Sequence, residues 1–245
     1  MGHTYVVAEE DVEGRRREGD TALEKPTLGA HTGSQLLEQR VIRYAPGRSL
    51  PRGDPGRDEL LYVVSGAGTL ELDGEPFELD AGSGAYVRAA EAYVVENPGP
   101  DDLIVVSVMV PVDESYRPPR EVVVRFADRP ELRADAKRTF RYLVNQDAGC
   151  ADATQFVGLV EPCRAPDHSH SYDEVGYIVA GEGFAHIGGE SMPLRPGSCF
   201  HLPPEQVHCI ENSGPGVMRI LGVFHPSGDP ASRAYEDDPQ LLPAS

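Results

Sequence analysis

Polar and apolar residues alternate along Gln35 to Tyr44 enough to predict a β-strand, and Ala153 to Val160 reads as another, feeding into the loop that follows it. Glu121 to Phe126 reads as a further strand opening the second half of the chain. Val6-Val7 is the one strand-like core in a polar N-terminal arm, residues 1–33. Pro111 to Arg120 is Pro-rich and charged, as linkers are. Two stretches read as helical instead: Arg133 to Phe140, with one or two turns, and Ser232 to Asp238, ahead of a frayed C-terminus. The most apolar run, Leu103 to Val112, falls far short of the roughly 20 residues that a membrane-spanning helix needs.

The chain also repeats itself. A shift of 115 positions pairs Glu59 with Glu174, Tyr62 with Tyr177, Gly66 with Gly181, Gly82 with Gly197, Asn97 with Asn212 and Pro111 with Pro226, without a gap. A constant displacement over that length marks a duplicated unit, which the N-terminal arm precedes. With 26 Gly and 22 Pro among 245 residues, composition favours many short strands and turns over long helices, so the unit is read as all-β.

Candidate chemistry gathers in the second copy. The stretch Pro166-Asp-His168-Ser-His170-Ser-Tyr-Asp-Glu174 is answered by Pro203-Pro-Glu-Gln-Val-His208-Cys-Ile-Glu-Asn212. If the first stretch is one strand, His168, His170 and Glu174 lie at even spacing on one face, and His208 closes the set from a neighbouring strand. Three imidazoles and one carboxylate suit a single divalent transition metal per chain and do not choose among Mn, Fe, Co, Ni, Cu and Zn. Glu174 is also the candidate for taking a proton. Tyr172 shares the parity of the ligands, whereas Asp173 and Glu211 fall on the opposite parity and are expected to be solvated.

One face of the strand Ala153 to Val160 (Gln155, Val157, Leu159) or the other (Thr154, Phe156, Gly158) touches substrate, and periodicity leaves both open. The candidate substrate contacts are Gln155, Val157, Tyr172 and His201. His186, His201 and His225 each read more readily as surface or core residues than as proton-transfer groups. Cys150, Cys163, Cys199 and Cys209 show no CxxC spacing and read as small hydrophobes, with Cys209 turned away from the ligands.

The two motifs resemble the pair that marks the cupin superfamily. Pro162 to Gly181, with His168, His170, Glu174 and Gly181, is similar to the first, and Gly197 to Asn212, with Gly197, Pro203, His208 and Asn212, to the second. Pro162 and Glu205 stand where the family often has Gly, and neither is a ligand position. The resemblance implies an antiparallel jelly-roll barrel with the metal inside. With the repeat it implies a bicupin: two tandem cupin domains at 34–112 and 141–228, joined by a linker and lead-in strand at 113–140 and followed by an acidic tail at 229–245. At the positions of His168, His170 and His208 the first copy carries Gly53, Pro55 and Tyr93, leaving Glu59 alone. The first barrel is therefore expected to be metal-free and to pack against the second, make a dimer or cover its mouth, with a vestigial small-molecule pocket as the alternative.

Relatives with this or a related ligand set include dioxygenases of flavonols and other enolisable or phenolic compounds, oxalate-processing enzymes, sugar-phosphate isomerases and a ureidoglycine aminohydrolase. Oxalate decarboxylases carry ligands in both barrels. Germin-like oxalate oxidases usually place four residues between the second His and the Glu, where this chain has three. Ureidoglycine aminohydrolases order their ligands differently, and gentisate-type dioxygenases lack the ligand Glu. The resemblance thus points to a dioxygenase acting on a small organic substrate, ahead of an isomerase, decarboxylase or hydrolase using the same metal, or a non-catalytic binding protein.

Charge narrows the partners further. A formal net charge of -18 opposes nucleic acid and anionic membranes, and Arg15-Arg16-Arg17 is the only basic run. The N-terminal residues lack the charged start and apolar core of a secretory signal, so a cytoplasmic location is expected. Exposed strand edges give a motive for a homodimer.

Overall fold

The computed structural model describes residues 3–113 and 117–232 and the backbone of 234–235. Each half of the chain forms two facing antiparallel sheets. In the first half a seven-stranded sheet centred on Asp58–Ser65 and Leu103–Val110 faces a four-stranded sheet that contains Ala67–Leu72 and Tyr93–Asn97. In the second, a seven-stranded sheet centred on Asp173–Ala180 and Met218–His225 faces a sheet built on Gly183–Ile187 and His208–Asn212. Among the described residues no helix is long and apolar enough to cross a membrane.

The large sheets are buried on both faces. Along Asp58–Ser65, Leu61 and Val63 point into the first barrel while Leu60 and Tyr62 point out of it. The outward residues do not meet solvent. Together with Val41, Val106 and Val108 they pack on Val157, Val175, Tyr177, Leu221 and Val223 of the second barrel, forming a core between the two. Two buried amides span this interface in matching positions: Gln155 Nε2 donates to the Leu61 carbonyl at 3.2 Å, and Gln39 Nε2 to the Gly176 carbonyl at 3.4 Å.

The duplication is visible strand by strand. Asp58–Ser65, Ser83–Val87, Tyr93–Asn97 and Leu103–Val110 recur 115 positions on as Asp173–Ala180, Ser198–Leu202, His208–Asn212 and Met218–His225. It also reaches further toward the N-terminus than the ungapped repeat. Val6–Ala8 and Arg15–Arg16 recur 117 positions on as Val123–Arg125 and Leu132–Arg133, and Ala22–Leu28 recurs 116 positions on as Arg138–Val144. The change of displacement hid these strands from a comparison at constant shift.

The two halves exchange edge strands. Val6–Ala8 pairs with Ser198–Phe200 of the second barrel, and Val123–Arg125 pairs with Ser83–Ala85 of the first. The N-terminal arm is thus part of both sheets, and the predicted strand at Glu121 to Phe126 closes the first half rather than opening the second.

Two further expectations are corrected. Ala22–Leu28 is a strand of the first barrel, antiparallel to Glu38–Tyr44; Pro26, which has no N–H to donate, sits beside a bulge in that pairing. Arg133 to Phe140 is not helical: Leu132–Arg133 and Arg138–Val144 form a hairpin whose turn is held by Asp135, which accepts from the Lys137 N–H at 3.0 Å. Of the helix expected over Ser232 to Asp238, Ala234–Tyr235 form a short strand on His168–Ser169, and 233 and 236–238 lie outside the described residues.

Candidate metal centre

His168, His170, Glu174 and His208 come together at one end of the second barrel, though not from a single strand. His168–Ser169 belongs to the smaller sheet and Asp173–Ala180 to the larger, and the chain bends between them. The expectation of one strand face is therefore wrong in its geometry. The ligand set bridges both sheets. His168 faces His208 directly across a strand pair, with ring centroids 4.5 Å apart, and the His170 ring lies 4.8 Å from that of His208.

Each imidazole is oriented in the same way. His168 Nδ1 lies 3.0 Å from the Pro166 carbonyl, His170 Nδ1 2.9 Å from that of Tyr172, and His208 Nδ1 2.8 Å from that of Gln206. A carbonyl only accepts, so each Nδ1 carries a hydrogen and donates, which makes Nε2 the metal-binding nitrogen in the neutral ring. His170 Nε2 is buried, 3.3 Å from Glu174 Oε2, and has no hydrogen-bond partner. Burial alone would lower the His170 pKa, but the adjoining Glu174 carboxylate outweighs it and raises it, whereas burial lowers that of His208.

The donor set fits a divalent cation of intermediate hardness. Among the described residues no three His, Cys, Asp or Glu side chains are already gathered closely enough to hold one, so binding requires these side chains to close inward.

The cavity beside the ligands has a volume of about 110 Å³ and is mainly apolar, with Phe140, Phe156, Phe200, Leu202 and Ile220 in its wall and Arg138 and Thr139 among its few polar residues. Tyr172 belongs to it. Its ring stacks on His170 at 4.0 Å and on Phe224 at 4.0 Å, holding the imidazole from one side.

Three other candidates lie elsewhere. Gln155 and Val157 face the first barrel, and the opposite face of their strand, with Phe156 and Gly158, lines the cavity. His201 is buried away from the cavity, with Nε2 2.5 Å from Asp173 Oδ1 and Nδ1 2.9 Å from His3 Nε2. Asp173 is accordingly buried rather than solvated, and Glu211 pairs with His186 at 2.7 Å. The sequence reading missed Phe140, which lay in the supposed helix, and Arg138 and Thr139 beside it. Cys150, Cys199 and Cys209 are buried free thiols, and burial pushes Cys150 up to about 11 and Cys199 up to about 12.

A family model described as a cupin domain matches the chain twice, over residues 40–109 and 157–224. Among curated proteins, an uncharacterised HTH-type transcriptional regulator of Bacillus subtilis is 35% identical over 68 residues, covering 28% of this chain and 21% of its own length. An uncharacterised protein of Methanocaldococcus jannaschii is 32% identical over 60 residues, covering 24% and 48%. The chain thus spans less than half the length of these relatives.

Solved structures are similar over nearly the whole chain. Protein Ylba from E. coli aligns with a TM-score of 0.79 at 14% identity, covering 93% of each chain. A putative glyoxylate induced protein from Pseudomonas aeruginosa gives 0.76 at 18%, covering 99% of this chain and 93% of that one. The oxalate decarboxylase of Bacillus subtilis, described with Mn(II) centres, gives 0.74 at 12%, covering 96% and 80%. At these identities the likeness is one of fold.

Proposed function

The chain belongs to the cupin family, whose domain it carries in both halves, and from that premise we propose that it is a metal-dependent dioxygenase acting on a small phenolic or enolisable compound. One divalent transition metal per chain is held by His168, His170, Glu174 and His208. The observation that carries this reading is the common orientation of three imidazoles, each with Nδ1 tied to a backbone carbonyl and Nε2 left as the metal-binding nitrogen.

When bound, the metal supplies Lewis acidity and, if redox-active, a route for electrons. The chain does the rest. Tyr172 and the Tyr172 carbonyl fix the His170 ring from its face and from Nδ1. The apolar wall around Phe140, Phe156 and Ile220 keeps water from the reacting atoms and favours a flat, weakly polar substrate. Glu174 would accept a substrate proton at a carboxylate oxygen.

That same carboxylate supports a second reading, non-oxidative proton-transfer chemistry at the same metal. Oxygen uptake by protein loaded with Fe or Mn, measured against a panel of phenols and diketones, separates the two. Uptake with at least one substrate supports the dioxygenase. Turnover that proceeds equally under nitrogen assigns non-oxidative chemistry, and tight binding without turnover in either atmosphere assigns a binding protein.

A further inference from the structure

The first barrel has a cavity of its own, about 510 Å³, at the place where the second gathers its ligand set. Gly53, Pro55 and Tyr93 occupy the positions of His168, His170 and His208, and Tyr93 Oη donates to Glu59 Oε1 at 3.1 Å. The wall has changed character as well. By strand register, Glu24 and Arg40 stand where the second barrel presents Phe140 and Phe156. An aromatic wall beside a metal-type ligand set has become a charged wall without one.

The charges are unevenly matched. Asp54 is held by the backbone N–H groups of Gly56 and Arg57, and Glu91 by Arg120. Arg52 is closed off, its side chain 7% exposed and in contact with both Glu24 and Asp20. Among the described residues the ion pairs of Arg40 are long, 3.5 Å to Glu24 and 3.8 Å to Glu38. Both arginines line the cavity. Glu59 lies at its base, and burial, opposed by hydrogen bonds from Ser107 and Tyr93, raises its pKa above the usual carboxylate range. A guanidinium has five N–H donors, so Arg40 keeps donors beyond its two long pairs with Glu24 and Glu38.

We propose that the cavity of the first barrel is a second ligand site, independent of the metal, that takes a small organic carboxylate with its oxygens toward Arg40. Its volume lies in the range of ligand pockets. A carboxylate carries one charge per group, which suits a cavity that also contains acidic side chains, whereas a doubly charged phosphate would be repelled by them.

Isothermal titration of the full chain with acetate, lactate, benzoate and inorganic phosphate tests this. At least one carboxylate should bind saturably, with one site per chain and tighter than phosphate. Arg40→Met should weaken that binding about 10- to 100-fold, the worth of a charge-assisted hydrogen bond. Arg40→Lys, which keeps the charge but not the planar fork, should fall between and serves if the methionine variant does not fold. His208→Ala should leave the affinity unchanged. Absence of saturable binding, preference for phosphate, or loss of binding in His208→Ala with none in the Arg40 variants would overturn the assignment.

Discussion

His170 Nε2 and Glu174 Oε2 lie 3.3 Å apart, both side chains buried at the same end of the second barrel. Their setting depends on Gly222 of the adjoining strand. A Cβ there would stand 2.3 Å from the Phe156 ring and 3.1 Å from Glu174 Oε1. The first barrel has Ser107 at this position, where it bonds Glu59. Gly222→Ala should therefore displace Phe156 into the cavity, lower stability by about 1–3 kcal/mol through overpacking and weaken metal binding. Urea unfolding and metal titration against a chelator check both effects.

Gln155 offers a contrasting case, since its amide reaches the Leu61 carbonyl across the barrel interface and not the cavity. Gln155→Leu should lower stability by about 1 kcal/mol, the lost bond being partly offset by removal of an acceptor, Oε1, that has no partner. Metal content and kcat/KM should stay as in the parent. A tenfold fall in kcat/KM would return Gln155 to the substrate site.

These residues show what the sequence could and could not disclose. The candidate ligands stood out because their residue types are rare in strands and because Gly181, Gly197 and Asn212 frame them in fixed spacing. The inward face of Thr154–Val160 was not, because Phe156 fills one barrel while Val157 fills the space between barrels. Alternation distinguishes faces only when one of them meets water. The exchange of strands Val6–Ala8 and Val123–Arg125 escaped notice for another reason: strand partners distant in sequence leave no local mark. Parity failed for Asp173 similarly, its partner His201 arriving from a neighbouring strand.

His201 and Asp173 form a buried pair, their side chains 2% and 4% exposed. His201→Ala strands the carboxylate and frees His3 near the exchanged strand, so unfolding free energy should fall by about 3–5 kcal/mol. The folded fraction should keep its metal. Chemical denaturation followed by circular dichroism, with metal analysis of the folded fraction, reads both quantities.

Asp20 sets an acid limit. Burial alone would raise its pKa, but hydrogen bonds from the Leu50 and Ala22 N–H groups, with Arg52 and Arg17, outweigh it and hold it below the unfolded value near 3.8. A depressed carboxylate stabilises the fold fully above the unfolded pKa and loses that contribution as pH falls through the folded one. The parent should exceed Asp20→Asn in stability near pH 6, and the gap should narrow below about pH 4. Urea midpoints of both proteins along a pH series provide the comparison.

The most direct measurement is elemental analysis by plasma mass spectrometry of the untagged protein beside its His208→Ala variant. About one transition metal per chain in the parent and a large loss in a variant that keeps its β-sheet circular dichroism is the predicted result. A parent without metal after gentle purification, or a variant that retains its full complement, would contradict the assignment of His168, His170, Glu174 and His208 as the metal site.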